Sequence, residues 1–417
     1  MEFLQPVIRP YAWGSRTGIA ELQGRPVPAA GPEAELWMGA HPSAPSGAAG
    51  TTLDAHIAAD PDRELGPDCV ARFGPRLPFL LKVLSAEQAL SIQLHPSRAQ
   101  AEAGFRAENA RRQRRPDQQR RQGRPDQQRR QRRPDQRPGP ASPDRNYVDD
   151  WPKPELLCAL TPFEILAGLR TPPDAAAVLR ALAVPPLAPL AAELESAATP
   201  RALADVLAAI LTWPDPADLV RAVVAACARL AAAGGPDAVV CAAAVREAGH
   251  HPGDLGVVAM LLMRHAVLAP GQAVFMPAGG LHAYLRGTGI EVLANSDNVV
   301  RAGLTGKHID VPELLKLLDP AVTVPVLSPR SVADRITSFD TPAPEFALYV
   351  ADLASGAVTL PGAGPRIVLC TDGAAALAAE SGESAKLARG ESCFVSAADG
   401  SLSAAGPARL FLAAPGE

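Results

Sequence analysis

Two changes of hydrophobic period set the outline of this fold. Up to about residue 105 the chain reads as short strands punctuated by Gly and Pro, with EAELWMGAHPSAPSG and LPFLLKVL as clear examples. From Pro172 to Gly249 apolar residues recur at i, i+3, i+4 and i+7, as in TPRALADVLAAILTW and PADLVRAVVAACARLAAAG. Thr199-Pro200 and Asp215-Pro216 read as cap-and-start pairs, with Pro in a first turn where its missing N–H costs nothing. After His251 strand-and-turn text returns and runs, interrupted by the helix VPELLKLL, to the end. The expected class is therefore mainly β with an inserted α-helical domain and a C-terminal β domain of sandwich or jelly-roll type. A chain of 417 residues is long enough for two or three such domains.

One stretch breaks the pattern. Residues 111–145 repeat RRPDQQRRQ with a period of nine. Thirteen arginines against four aspartates give the stretch +9, so the rest of the chain carries -13 beneath the overall -4. Such a basic run suits a polyanion. It contains no aromatic residue for base stacking and nothing to bury, so the expectation is a disordered insertion over 106–145 in a surface loop, not a nucleic-acid arm.

The N-terminus MEFLQPVIRPYAWGS lacks a basic then apolar leader, and no apolar run approaches about 18 residues. The six cysteines are scattered without ligand spacing and read as reduced, buried thiols. The expectation is a cytoplasmic protein with no membrane partner.

Candidate chemistry gathers where polar residues interrupt strand-like text. In SIQLHPS, Ser91, Gln93 and His95 alternate with Ile92 and Leu94, which puts the polar groups on one strand face. Glu155 in WPKPELL and His282 in GLHAYL are similarly placed. An amide oxygen, two imidazoles and a carboxylate form a borderline N/O donor set suited to zinc with an open position. A lone His on a strand is more often a hydrogen-bonded core residue, and spacing alone does not bring the four together. PGQAVFMPAGGLHAY has a cupin-like look, with His282 pointing into a small β-barrel. In EVLANSDNVVRAGLTGKHID, Asn295 to Asn298 suit a polar turn. Arg301 sits among apolar neighbours and calls for an anion.

These segments, with YAWGS, ELWMGAHPSAPSG, PFLLKVLSAEQALSIQLHPS and KPELLCALTPFEILAGLR, resemble the type I phosphomannose isomerases in collinear order. The resemblance covers nearly all of the chain outside the arginine repeat. It implies a zinc-dependent interconversion of mannose 6-phosphate and fructose 6-phosphate. It also implies a cupin-type catalytic core, an inserted helical domain and a C-terminal β domain. The corresponding limits are 1–105, 146–171 and 251–321 for the core, 172–250 for the helical domain and 322–417 for the last. Carried over by position, it makes Gln93, His95, Glu155 and His282 the ligands of one zinc ion per chain. Arg301 and Lys153 match active-site positions, and Ser91 and Lys82 match positions that hold the sugar phosphate. Asp297 is expected at the substrate too. Two departures stand out: in YVDDWPKPE, Trp151 and Pro152 replace the family's Asn and His, and Gly306 stands where Pro is usual.

Moving a proton between C1 and C2 requires stabilisation of an enediolate and a base worth about 10²–10⁴-fold. Glu291 and Lys153 are the candidates, and the sequence does not choose between them. The alternatives are a non-catalytic zinc cupin that binds a sugar phosphate, and an isomerase of another aldose phosphate. The expected partner is a small sugar phosphate, and the chain is expected to act as a monomer.

Overall fold

The computed structural model describes residues 1–121, 145–354 and 356–416. Within them lie two large antiparallel sheets and a block of helices. The first sheet has eleven strands, and its hub is the long strand His282–Ala294. The first part of this strand pairs with Phe163–Leu169 and, at His282, with Ile92–Leu94. The second part pairs with Phe79–Ala86 on one side and Glu155–Ala159 on the other. The strand can change partners because it turns at Gly287, where φ is +137° and a Cβ would lie 2.8 Å from the Phe163 ring.

The helices run Pro172–Leu182, Ala188–Ala197, Pro200–Leu211, Pro216–Ala233 and Ala238–His250. Thr199 caps its helix, its hydroxyl accepting the Ala202 N–H. Asp215 differs from the sequence expectation: Pro216 does start the helix, but Asp215 makes no capping bond. Its left-handed backbone, φ +52°, departs from the extended geometry that aims an N-cap side chain at the first turn.

The helical core explains the alternation in SIQLHPS. Ile92 and Leu94 are buried in one cluster with Leu179, Leu203, Val223 and Val258 from the helices. Leu281, Ala283 and Leu285, and Val300 and Ala302, join the same cluster. The helices therefore cover one face of the strands that carry Gln93, His282 and Arg301, and the intervening polar residues face away from them.

The second sheet has ten strands, mostly from the C-terminal third, and the strand Glu2–Phe3 also joins it by pairing with Ser392–Val395. Leu348 and Phe411 of this sheet, with Phe346 just before the strand Ala347–Leu353, share a core with Leu36, Leu81 and Val292 of the first. The helix Arg98–Arg121 runs into the start of the arginine-rich stretch, and the repeat between 122 and 144 lies outside the described residues. Beyond it Arg145 Nη2 donates to Asn109 Oδ1 at 2.9 Å, and the Asn146 N–H to Glu108 at 3.1 Å. The chain thus returns to the helix it left, which lets an insertion there leave the core undisturbed. Among the described residues no helix is long and apolar enough to cross a membrane.

Candidate metal centre

Register places three of the sequence-selected residues in one row. Gln93 is the cross-strand partner of His282 on one side and of Arg301 on the other. Directly opposed residues project from the same sheet face, so the three side chains are lateral neighbours. His95 lies two residues beyond Gln93 on that face. Glu155 enters from the first residue of Glu155–Ala159, opposite Leu293.

Three of these side chains converge. His95 Nε2 lies 3.2 Å from Glu155 Oε1, and His282 Nε2 lies 3.5 Å from Glu155 Oε2. The two imidazole centroids are 5.1 Å apart. All three residues are buried, with ligand atoms within 4.8 Å of one another. The opposite ring nitrogens are engaged: His95 Nδ1–H donates to the Asn298 carbonyl at 2.7 Å and His282 Nδ1–H to the Gly280 carbonyl at 3.0 Å. That fixes both tautomers with the lone pair on Nε2. Both Nε2 atoms are buried without a hydrogen-bond partner. Two orphaned lone pairs aimed at one carboxylate are costly unless something positive sits between them, and the set fits a zinc ion. Gln93 adds its amide oxygen on the same face, where Ser91 Oγ donates to Gln93 Oε1 at 3.1 Å.

The surrounding charges are arranged in layers. Lys153 Nζ lies 2.8 Å from Glu155 Oε1. Burial works against ionisation of Glu155, but the Lys153 ammonium holds its pKa well below the usual carboxylate range. Burial lowers the His95 pKa to about 4, which keeps the ring neutral. Glu291 lies opposite Lys82 in the sheet, and burial pushes its carboxyl up to about 7, with Lys82 opposing and Glu155 and Glu35 adding to the rise. Burial alone would lower the Lys82 pKa, yet Glu291, Glu35 and Glu155 hold it above the usual lysine range.

Arg301 is half-buried and, among the described residues, no hydrogen bond or ion pair engages its guanidinium; burial lowers its pKa. Asp297 lies 3.4 Å from His41 Nε2. Burial opposes ionisation of Asp297, but His41, Lys153 and Lys82 hold its pKa below the usual range.

Several residues at the site escaped the sequence reading. Tyr284, two residues after His282, directs its hydroxyl at Glu155 Oε2 from 3.5 Å, and the period of two could have found it. His41 is buried edge-on to Trp37 and accepts the Ser43 N–H at Nδ1, which leaves the Nε2 proton for Asp297. Lys307 lies with its ammonium 5.7 Å from the Tyr11 ring centroid; desolvation and the Arg301 charge lower its pKa. Nothing in the local text marks His41, whereas Lys307 stands in the polar segment that also holds Arg301.

The fold and the donor set define a β-rich metalloprotein with a buried N/O site in the face of a sheet. Comparison with known proteins narrows this. Residues 1–172 match the family model for the phosphomannose isomerase type I catalytic domain. The mannose-6-phosphate isomerase of Salmonella typhimurium is 34% identical over 422 aligned residues, covering 98% of each chain, and that of Escherichia coli is 33% identical over the same span. A crystal structure of a variant phosphomannose isomerase from Salmonella typhimurium superimposes with a TM-score of 0.85 at 31% identity over 100% of both chains. A mannose 6-phosphate isomerase solved with zinc and yttrium bound gives the same score, identity and coverage. The chain belongs to the type I mannose-6-phosphate isomerase family.

Proposed function

We propose that this chain interconverts mannose 6-phosphate and fructose 6-phosphate at a zinc centre held by Gln93, His95, Glu155 and His282. The observation that carries this reading is the pair of inward Nε2 atoms, buried and unpartnered, that meet on the two oxygens of Glu155. When bound, zinc supplies positive charge that polarises the sugar's carbonyl and hydroxyl oxygens.

The chain's own groups do the rest. Arg301, which has no carboxylate partner among the described residues, stands beside the centre and stabilises negative charge that develops on the substrate oxygens. Glu291 moves the proton between C1 and C2; a carboxyl raised to about 7 exchanges protons readily near neutral pH. Lys153, held against Glu155, donates to the adjacent oxygen. Ser91 orients the Gln93 amide and meets the sugar phosphate together with Lys307. Asp297, ionised against His41, accepts a hydrogen bond from a sugar hydroxyl. Lys82 acts on the substrate through the carboxylates of Glu291 and Glu35 that it holds.

The same reading takes the first sheet as a cupin-type barrel built from 1–105, 146–171 and 251–321. The helices of 172–250 are then an inserted domain, and 322–417 a second β domain. Six free, buried cysteines favour a reducing, cytoplasmic setting. A monomer suffices, because every proposed site residue comes from one chain.

The test is turnover of mannose 6-phosphate by purified protein as isolated, after chelation and after zinc is restored. Activity that vanishes with chelator and returns with zinc is the expected result. A folded, zinc-loaded protein without turnover would reduce the site to a sugar-phosphate binder.

A further inference from the structure

Asn298 is fully buried, and its side-chain amide has no spare valence. Nδ2 donates to the backbone carbonyls of Trp151 at 2.8 Å and Asp149 at 2.9 Å, and to Asp149 Oδ1 at 3.1 Å. Oδ1 accepts the N–H groups of Val148 at 2.7 Å and Asp149 at 3.2 Å. The backbone carbonyl of the same residue accepts His95 Nδ1–H at 2.7 Å. The Asp149 carboxylate closes the frame by accepting the N–H groups of Trp151 at 2.9 Å and Asp297 at 3.1 Å, and the Ser296 hydroxyl at 2.8 Å.

One residue therefore joins three segments that bear the chemistry. These are the Gln93–His95 strand, the 148–155 segment that leads to Lys153 and Glu155, and the 296–301 segment that leads to Arg301. We infer that Asn298 is a positioning residue for the metal centre: its amide fixes the 148–151 backbone, and its carbonyl, held in place by that amide, sets the tautomer and angle of His95. The inference rests on the zinc-isomerase reading of the site. Truncating the side chain removes the partner of the Asp149 carbonyl and of two interior N–H groups, leaves the Trp151 carbonyl with the Ser296 hydroxyl at 3.3 Å, and releases the carbonyl that orients the imidazole.

The experiment uses full-length Asn298→Ala and Asn298→Asp. The second keeps shape and the Oδ1 acceptor but turns a carboxylate toward Asp149 and two carbonyls. Zinc affinity is read by competition with a chromophoric chelator, and ligand geometry by the absorption of the cobalt(II)-substituted protein. Partners that orient a metal-binding histidine are typically worth about 10–100-fold in affinity, so a loss of that size with a changed cobalt spectrum is expected in folded variant. At saturating zinc kcat should fall more than KM changes. Wild-type zinc affinity and cobalt spectrum in folded variants, even with a lower melting temperature, would overturn the inference and leave Asn298 a structural residue only. A measurement on unmutated protein guards against variants that do not fold: nitrogen-15 NMR of the metal-free chain should find the neutral His95 protonated at Nδ1, and protonation at Nε2 overturns the inference. Lack of mannose 6-phosphate turnover by the wild type would sink the isomerase reading without touching either metal-binding result.

Discussion

Lys82 and Glu291 face each other across paired strands with Nζ 3.1 Å from Oε2, and the same ammonium lies 3.6 Å from Glu35 Oε1. One buried cation thus serves two buried carboxylates, and Trp37 Nε1 donates to the second of them at 2.7 Å. Lys82→Met would leave both acids uncompensated, a loss on the order of 3–5 kcal/mol for a buried pair broken on one side. Urea unfolding should register that loss, and kcat should fall well before KM changes, because Glu291 would then hold its proton too tightly to act as a base. A raised KM with unchanged kcat and stability would instead make Lys82 a direct phosphate anchor.

Arg301 contrasts with Lys82 in having no carboxylate partner among the described residues, although it lies opposite Gln93 in the same row. Its charge is therefore available to the substrate. Arg301→Ala is expected to retain zinc at wild-type stoichiometry while kcat drops by about 10²–10³-fold, the range for removal of one oriented donor at a developing oxyanion. Steady-state kinetics and metal analysis on the same preparation decide it. Loss of zinc in step with loss of activity would place Arg301 in the scaffold of the metal site.

The alternation of SIQLHPS was legible because a strand covered by helices on one side must sort its residues by face, and Ile92 and Leu94 do enter the helical core. The meeting of Gln93, His282 and Arg301 was not legible from period or composition. It depends on pairing between strands almost 190 and just over 200 residues apart, and the resemblance to a family supplied what local pattern lacked. Asn298 read as a turn residue because its text, NSDN, is what turns use; only the packed position of Asp149 and Trp151 turns it into a frame. Asp215 looked like a helix cap because Asp-Pro commonly starts helices, but the backbone there takes a left-handed turn that sequence chemistry does not dictate.

Trp151 replaces the asparagine usual in the family, and the fold uses it. Its ring is buried against Phe73, with the Arg76 guanidinium 3.7 Å and the Arg98 guanidinium 5.1 Å from the ring centroid. Its backbone carbonyl, not its side chain, meets Asn298. Trp151→Asn should therefore cost about 3 kcal/mol or more through lost packing and lost cation–π contact, with no gain in kcat. Thermal unfolding and turnover measured well below the melting temperature separate the two effects. A variant as stable as the wild type but faster would mean that the tryptophan obstructs the site.

Glu164 binds the helical block to the first sheet. Its Oε1 lies 2.8 Å from His265 Nε2 in the neighbouring strand, and its Oε2 lies 2.8 Å from Arg246 Nη2 in the helix Ala238–His250. Burial would raise its pKa, but the His265 bond and the Arg246 charge hold it below the usual 4.5. A depressed carboxylate contributes stability that is present above the unfolded-state value and is lost as pH falls through the folded-state value. Glu164→Gln should then lower the unfolding free energy by about 1.5–3 kcal/mol at pH near 7, the scale of hydrogen bonds to a charged group. The gap to the wild type should narrow steadily once pH falls below roughly 4.5. Urea melts of both proteins across that range make the comparison. A gap that stays constant with pH would mean that the glutamine disturbs packing, and that the ionised carboxylate is not what holds the helices to the sheet.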